Sequence, residues 1–272
     1  MNYHDDFSII GRLGEHYEEA RGHFCDDRIV ALVLQGSQNY GLDMENSDVD
    51  SKLVLVPAFK DIAMARKPIS TTHVMENDEH IDFKDVRLFM QLFKKMNLNF
   101  LEVLFTKYYI LNPTYAYQWR RLLTYKEEIA HYNPVAAVTT AWGMAKEKHR
   151  NLTHEFPSRM DWINKFGYDP KQLTHLLRFE EYTERYMAGE SVDDAMITKQ
   201  ADYLKNVKMG LYSLDEAKDV ADKALAHMNQ MVDEMVEKKN QYPINKEIGE
   251  LLDDVQYEIM KIAIKREMEK EL

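Results

Sequence analysis

"LQGSQNYGLDMENSDVDSKLVLV", residues 34–56, decides how this chain is read. The apolar run IVALVL at 29–34 stops at Gly36-Ser37, and Asp48 and Asp50 then flank a valine at the head of a second apolar run that Pro57 closes. Short β-branched runs bounded by Gly and Pro are strand signals, so 29–34 and 49–57 read as adjacent strands. A Gly-Ser after a strand makes a tight turn whose following backbone N–H groups cradle anions, phosphate above all. Alone it is a weak signal, because turns are full of such residues. Residues two apart on a strand share a face, so Asp48 and Asp50 project together while Val49 points into the core. Two carboxylates on one face repel unless a cation sits between them, and such oxygen ligands suit Mg²⁺, which borrows further ligands from substrate phosphates. The pair is either a turn with an exposed strand residue or part of a metal-assisted phosphoryl-transfer site, and the order strand, Gly-Ser, spacer, strand favours the second.

Outward from this stretch, residues 7 to about 26 read as an amphipathic helix with Ile9, Ile10, Leu13, Tyr17 and Ala20 at helical spacing. Residues 70–79 read as a loop rich in Thr, Glu, Asn and Asp, and HIDF at 80–83 as a strand whose alternation puts His80 and Asp82 on one face and Ile81 and Phe83 on the other. A helix follows through DVRLFMQLFKKM at 85–96, and a short strand at 108–111. From about 115 onward helix signals dominate: Asn133-Pro134 and Asp169-Pro170 are N-caps with Pro at the first helical position, and Ser213 to Glu216 fits a capping box. The expected fold class is α+β, a mixed sheet with flanking helices over 1–112 and a helical part over 113–272. The Met-rich stripes of the late helices read as packing.

Composition bounds the function. A 45% hydrophobic and 30% charged chain has a core to build, and a net charge of −11 excludes a protein that coats nucleic acid by phosphate neutralisation over its whole surface. Any nucleic-acid contact must come from a local basic patch. No window is long and apolar enough to span a membrane and no secretory signal opens the chain, which points to a cytoplasmic protein without a membrane partner. The single cysteine, Cys25, excludes a disulfide framework and reads as a packing residue. His73, His80, His149 and His154 show no metal-ligand spacing and read as structural or exposed. No P-loop lysine motif is present.

Gly36, Ser37, Gly41, Ser47, Asp48 and Asp50, in the frame GSQNYGLDMENSDVD, resemble the defining motif of the DNA polymerase beta superfamily of nucleotidyltransferases: GS, a spacer, then Asp, an apolar residue and Asp. With IDFKDVRLFMQLFKKMNLNFLEVLF at 81–105 and KFGYDPKQLTHLLRF at 165–179, the chain more closely resembles the RNA repair pathway DNA polymerase beta family of bacteria and phages. The likeness departs at Asn97-Leu98, where that family has Asn-Pro, and no motif anchors the chain beyond about residue 190.

The resemblance implies an N-terminal nucleotidyltransferase domain and a helical domain closing the cleft for nucleotide and acceptor. It implies that Asp48, Asp50 and Asp82 are catalytic carboxylates and metal ligands for Mg²⁺ or Mn²⁺. Asp85 competes for the third role, but it stands where a helix should start and is equally explained as a cap. The nucleotide contacts implied are Gly36, Ser37 and Ser47, with Lys52, two positions past Asp50, another phosphate contact or a surface lysine. Lys171, His175, Arg178 and Tyr182 fall at i, i+4, i+7 and i+11 of one helix, opposite Leu173, Leu176 and Leu177. Such a basic stripe suits triphosphate or an RNA backbone, and the resemblance adds Lys165 to Lys171, His175 and Arg178 as nucleotide contacts. The activity implied is transfer of a nucleoside monophosphate from an NTP to an acceptor hydroxyl, an RNA (tRNA-like) 3′ end being the favoured acceptor. Adenylylation of a protein or small-molecule hydroxyl, or an inactive nucleotide-binding scaffold, are the competing expectations.

Overall fold

The structure, a computed structural model, describes residues 6–45 and 47–271. Its sheet has five strands, β1 (Ile29–Gln35), β2 (Asp50–Leu55), β3 (Ser70–Val74), β4 (His80–Asp85) and β5 (Tyr109–Leu111), in the order β3-β4-β2-β1-β5. The sheet is mixed: β2 and β4 run parallel, and β1/β2, β1/β5 and β3/β4 are antiparallel. Every residue of β1 but the last is buried, as a strand covered on both faces requires. The Thr-rich segment read as a loop is in part a strand: β3 is an exposed edge whose polar residues gave the reading of a turn.

Helix α1 (Asp6–His23) lies on the face formed by Leu32, Leu34, Leu53, Leu55, Ile81 and Phe83, and Ile9, Leu13 and Ala20 close that core. Its buried stripe runs through His16, while Ile10, expected in the apolar face, is 57% exposed. A histidine can be buried in this stripe because Ser51 and Glu79 offer it polar partners beneath the helix. Helix α2 (Val86–Lys94) buries Val86, Phe89, Met90 and Phe93, and Asp85 is its N-cap, accepting the Arg87 N–H at 2.9 Å. Helix α3 (Ala116–Thr124) buries Trp119 and Leu122. Cys25, read as a packing residue, is exposed: it precedes a short 3₁₀ turn outside the core.

The later helices form as their caps dictate. In α4 (Pro134–Arg150) Asn133 accepts the Ala136 N–H at 3.0 Å; α5 (Pro170–Met187) begins at the Asp169 cap. After α6 (Ala201–Lys208), the capping box of Ser213 and Glu216 opens α7 (Leu214–Glu237), whose Met228, Met231 and Met235 are buried, so the methionine stripe is packing. Helix α8 (Lys246–Glu271) contacts α2 and α3, with Leu252, Val255 and Ile259 fully buried and Arg121 bonded to Glu258 at 2.8 Å.

Packing divides the chain into two compact units, Met1–Tyr132 with Asn245–Leu272, and Asn133–Ile244. The sequence division at 112/113 differs from this in two places. Helix α3 packs on β1, and α8 returns to the sheet unit because its apolar stripe is matched by α2 and α3. Among the described residues no helix is long and apolar enough to cross a membrane.

Candidate active site

Strand alternation sends Ser51, Leu53, Ile81 and Phe83 to the face that α1 covers and Asp50, Lys52, Asp82 and Lys84 to the other. The parallel register sets Lys52 beside Asp82, and the antiparallel one sets Gln35 beside Asp50 and Thr72 beside Asp82. A chain of polar contacts crosses these strands. The Lys52 ammonium, buried to 4% exposure, donates to Glu102 Oε1 at 3.0 Å and to Gln35 Oε1; Gln35 Nε2 donates to Asp82 Oδ2 at 3.4 Å; the Thr72 hydroxyl donates to Asp82 Oδ1. Lys84 Nζ stands 3.7 Å from Asp82. Asp50 Oδ1 accepts the His80 backbone N–H at 3.0 Å and lies 3.2 Å from His80 Nδ1.

Lys52 is therefore neither a surface lysine nor an open phosphate contact. Burial pulls its pKa down to about 8, against the pull of the Asp82 charge, with Lys84 adding to the fall and Asp50 opposing it. Gln35 and Glu102 join the site although neither was singled out as a site residue. Gln35 immediately precedes the Gly-Ser, and Glu102 lies in the 81–105 segment already noted for resemblance, so proximity to motifs was their only sequence signal.

The opposite face of β2 is held by a second polar group. His16 Nε2 donates to Glu79 Oε2 at 2.9 Å while its Nδ1 lies 2.8 Å from the Ser51 hydroxyl. Glu79 Oε1 accepts the Val49 N–H at 2.8 Å and an Arg12 guanidinium nitrogen at 2.6 Å. Burial alone would raise the Glu79 carboxyl, but the bonds from His16 and Val49 and the Arg12 charge hold it below the usual carboxylate range. This network grips the backbone between Asp48 and Asp50 from behind. Its four side chains, Arg12, His16, Ser51 and Glu79, are scattered along the sequence and carry no motif, so sequence reasoning had no means to find it.

Gly36 has φ +101°, a conformation that L side chains rarely adopt, which is the physical reason for glycine after β1. Ser37 begins a 3₁₀ turn to Tyr40 that Gly41 closes at φ +73°. The Ser47 hydroxyl accepts the Met44 N–H at 2.8 Å, fastening the loop before β2. Val49 is buried as expected, but strand pairing begins only at Asp50, and Asp48 is exposed on the preceding loop, its carbonyl accepting Gln38 Nε2 at 2.8 Å. Asp50 and Asp82 share one face with the Gln35 amide oxygen nearby. These are hard oxygen donors, the kind a small divalent cation takes, so the residues fit such an ion. The ligand atoms of Asp48, Asp50 and Asp82 are not all within 4.8 Å of one another, because Asp48 precedes the strand.

Lys165, Lys171, His175 and Arg178 belong to the second unit. Lys165 and Lys171 are exposed, His175 is half-buried and Arg178 is buried, with its guanidinium 4.9 Å from the Phe179 ring centre. The stripe is thus solvated at its Lys171 end and packed at Arg178. Helix α5 is packed by α4, α6 and α7, and Tyr182 is buried with the leucines. Burial and then the charges of Arg178, Lys171, Lys148 and Lys208 drive the His175 pKa well below its usual value, so it is a neutral member of a cationic group. Asp169 caps α5 and forms a two-pronged ion pair with Arg159 at 3.0 and 2.7 Å.

In comparisons with known proteins, the family described as the RNA repair pathway DNA polymerase beta family matches residues 9–254, a span that includes the Gly-Ser turn, both aspartate strands and α5. A solved structure similar to this chain is that of a nucleotidyltransferase-like protein from Exiguobacterium sibiricum, 9% identical, with a TM-score of 0.35 over 85% of this chain and 77% of that one. No curated protein matches the chain.

Proposed function

This chain belongs to the RNA repair pathway DNA polymerase beta family and is a nucleotidyltransferase, and we propose that it transfers a nucleoside monophosphate from an NTP to the 3′ hydroxyl of an RNA, tRNA-like in shape, in the cytoplasm. The observation that carries this reading is the polar strip in which Asp50, Lys52 and Asp82 meet on one sheet face beside the Gly36 turn. Asp50 and Asp82, with Asp48 from the neighbouring loop, would hold Mg²⁺, or Mn²⁺ in its place. The ion would supply charge neutralisation for the triphosphate and the departing pyrophosphate.

The chain's own groups do the rest. Asp82 takes the proton of the acceptor hydroxyl, whose oxygen attacks the α-phosphorus as the bond to the β-phosphate breaks. Gln35 and Thr72 fix the Asp82 carboxylate, so the acceptor meets a base whose orientation is already set. Gly36, Ser37 and Ser47 line the turn and loop offered to the triphosphate, and Lys52 lends positive charge from below. Within the second unit, Lys165, Lys171 and Arg178, with neutral His175 as a hydrogen-bonding neighbour, are our candidates for phosphate contact, as the family resemblance implies.

The test is incubation of the protein with each α-labelled NTP and Mg²⁺, with RNA, protein extract and small metabolites as separate acceptors, beside Asp48→Ala and Asp50→Ala. Label in RNA that both substitutions abolish is the expected result. Label in protein or metabolites instead would establish adenylylation, a reading that the net charge of −11 favours over a large RNA surface. NTP binding without transfer to any acceptor would leave a scaffold.

A further inference from the structure

A cluster of metal-ligating side chains lies apart from the strip described above. Glu19 and His23 stand one helical turn apart on α1, and His73 of the edge strand β3 meets them, the three ligand atoms all within 4.8 Å of one another. No other triad of His, Cys or carboxylate groups is so gathered among the described residues. His73 Nε2 is 2.8 Å from Glu19 Oε1, and His23 Nε2 is 3.8 Å from the same oxygen. The two rings are held by packing rather than by solvent. His73 stacks on Phe83 at 5.8 Å and 5° between planes, His23 lies 4.4 Å from His73 and 5.5 Å from Phe83, and Phe24 meets Phe83 edge-on at 5.0 Å. Alternation along β3 puts His73 on the Phe83 face and Thr72 on the Asp82 face, so this cluster and the catalytic carboxylates lie on opposite sides of the sheet.

We infer that Glu19, His23 and His73 form a binding site for Zn²⁺ or a similar transition-metal ion. Two imidazoles and one carboxylate suit zinc, and they leave one tetrahedral position for water. Mg²⁺ and Ca²⁺ take oxygen ligands and are disfavoured by a set with two nitrogens. The ion replaces the hydrogen bond that Glu19 now shares with His73 and its longer contact with His23, and Phe83 packs against both rings. It joins α1 to an edge strand whose one neighbour in the sheet is β4, and whose Thr72 hydroxyl holds Asp82, so the site staples the strand that supports the catalytic face. The four histidines considered in the sequence offered no zinc spacing because the partners of His73 lie on a helix some fifty residues away.

The experiment is calorimetric titration of Zn²⁺ into the full chain in excess Mg²⁺, with Co²⁺ absorption as a second probe. One equivalent of zinc binds, Tm rises with zinc, and Co²⁺ shows the visible bands of a four-coordinate site. His23→Ala and His73→Ala each weaken zinc binding by more than about 100-fold, while Asp48→Ala and Cys25→Ser leave it unchanged. Tm in chelator separates lost affinity from lost folding, and exposed His23 decides if His73→Ala lowers it. The inference is overturned if no single equivalent binds, or if affinity survives His23→Ala. It is equally overturned if affinity disappears with Asp48→Ala or Cys25→Ser, which would assign the ion to the carboxylates or the thiol.

Discussion

The strip across β1 to β4 and the charged helix α5 both hold ionic groups in packed surroundings, and they assemble them by different geometry. The strip takes Gln35, Asp50, Lys52, Thr72, Asp82 and Glu102 from five separate segments and links opposite charges through hydrogen bonds. Helix α5 takes Lys171, His175 and Arg178 from three consecutive turns, and these share one sign or none. A sheet can pair charges because register brings remote residues side by side, whereas one helix face sets out what its own sequence supplies. The first arrangement holds the Asp82 carboxylate through Gln35 and Thr72; the second gathers positive charge around a half-buried histidine.

Breaking the strip should have the largest effect. Asp50→Asn and Asp82→Asn each lower nucleotidyl transfer by about 10³-fold, in line with the loss of a preorganised electrostatic group, while Tm changes little; label-transfer rates and a thermal melt check both. Next comes the support behind the strip. Glu79→Ala leaves His16 and Arg12 without their shared partner and lowers folding stability by about 3 kcal/mol, the scale for breaking a buried pair, measurable by urea denaturation.

The third prediction separates the two regions by pH. With its folded pKa below the unfolded value near 6.5, His175 binds fewer protons folded than unfolded, so its contribution is fully present above pH 6.5 and is lost as pH falls below it. The loss is at most about 1.4 kcal/mol per pH unit. His175→Gln should flatten the fall between pH 6.5 and 5, and an unchanged slope would show that the group is protonated in place. The smallest effect is expected at the exposed end of α5. Lys171→Ala weakens RNA binding a few-fold and reduces the salt slope by about 0.7 for a single strand, with no change in the rate at saturating substrate.

Local pattern made much of this legible. The strands at 29–34 and 49–57, the helix caps at Asn133, Asp169 and Ser213, the Asp85 cap and the glycine after β1 follow from rules that act within a few residues. Edge strand β3 was missed because an edge tolerates the polar residues that also make loops. Ile10 is exposed and His16 buried because periodicity counts apolar side chains and cannot see that Ser51 and Glu79 wait beneath the helix. Asp48, for the same reason, was read as a strand residue although pairing starts two residues later.

By itself the sequence determined strands β1 and β2, the main helix caps, the α+β class, the Gly-Ser turn and the face on which Asp82 lies, since each depends on backbone preferences and short-range periodicity. Only the tertiary structure decided that Lys52 is buried between Glu102 and Gln35, that Glu79 and His16 brace the aspartate loop, and that α8 packs on α2 and α3 of the sheet unit. Strand register and helix packing set those partners across tens to hundreds of residues, and no local spacing encodes which distant side chain will be there to satisfy a buried charge.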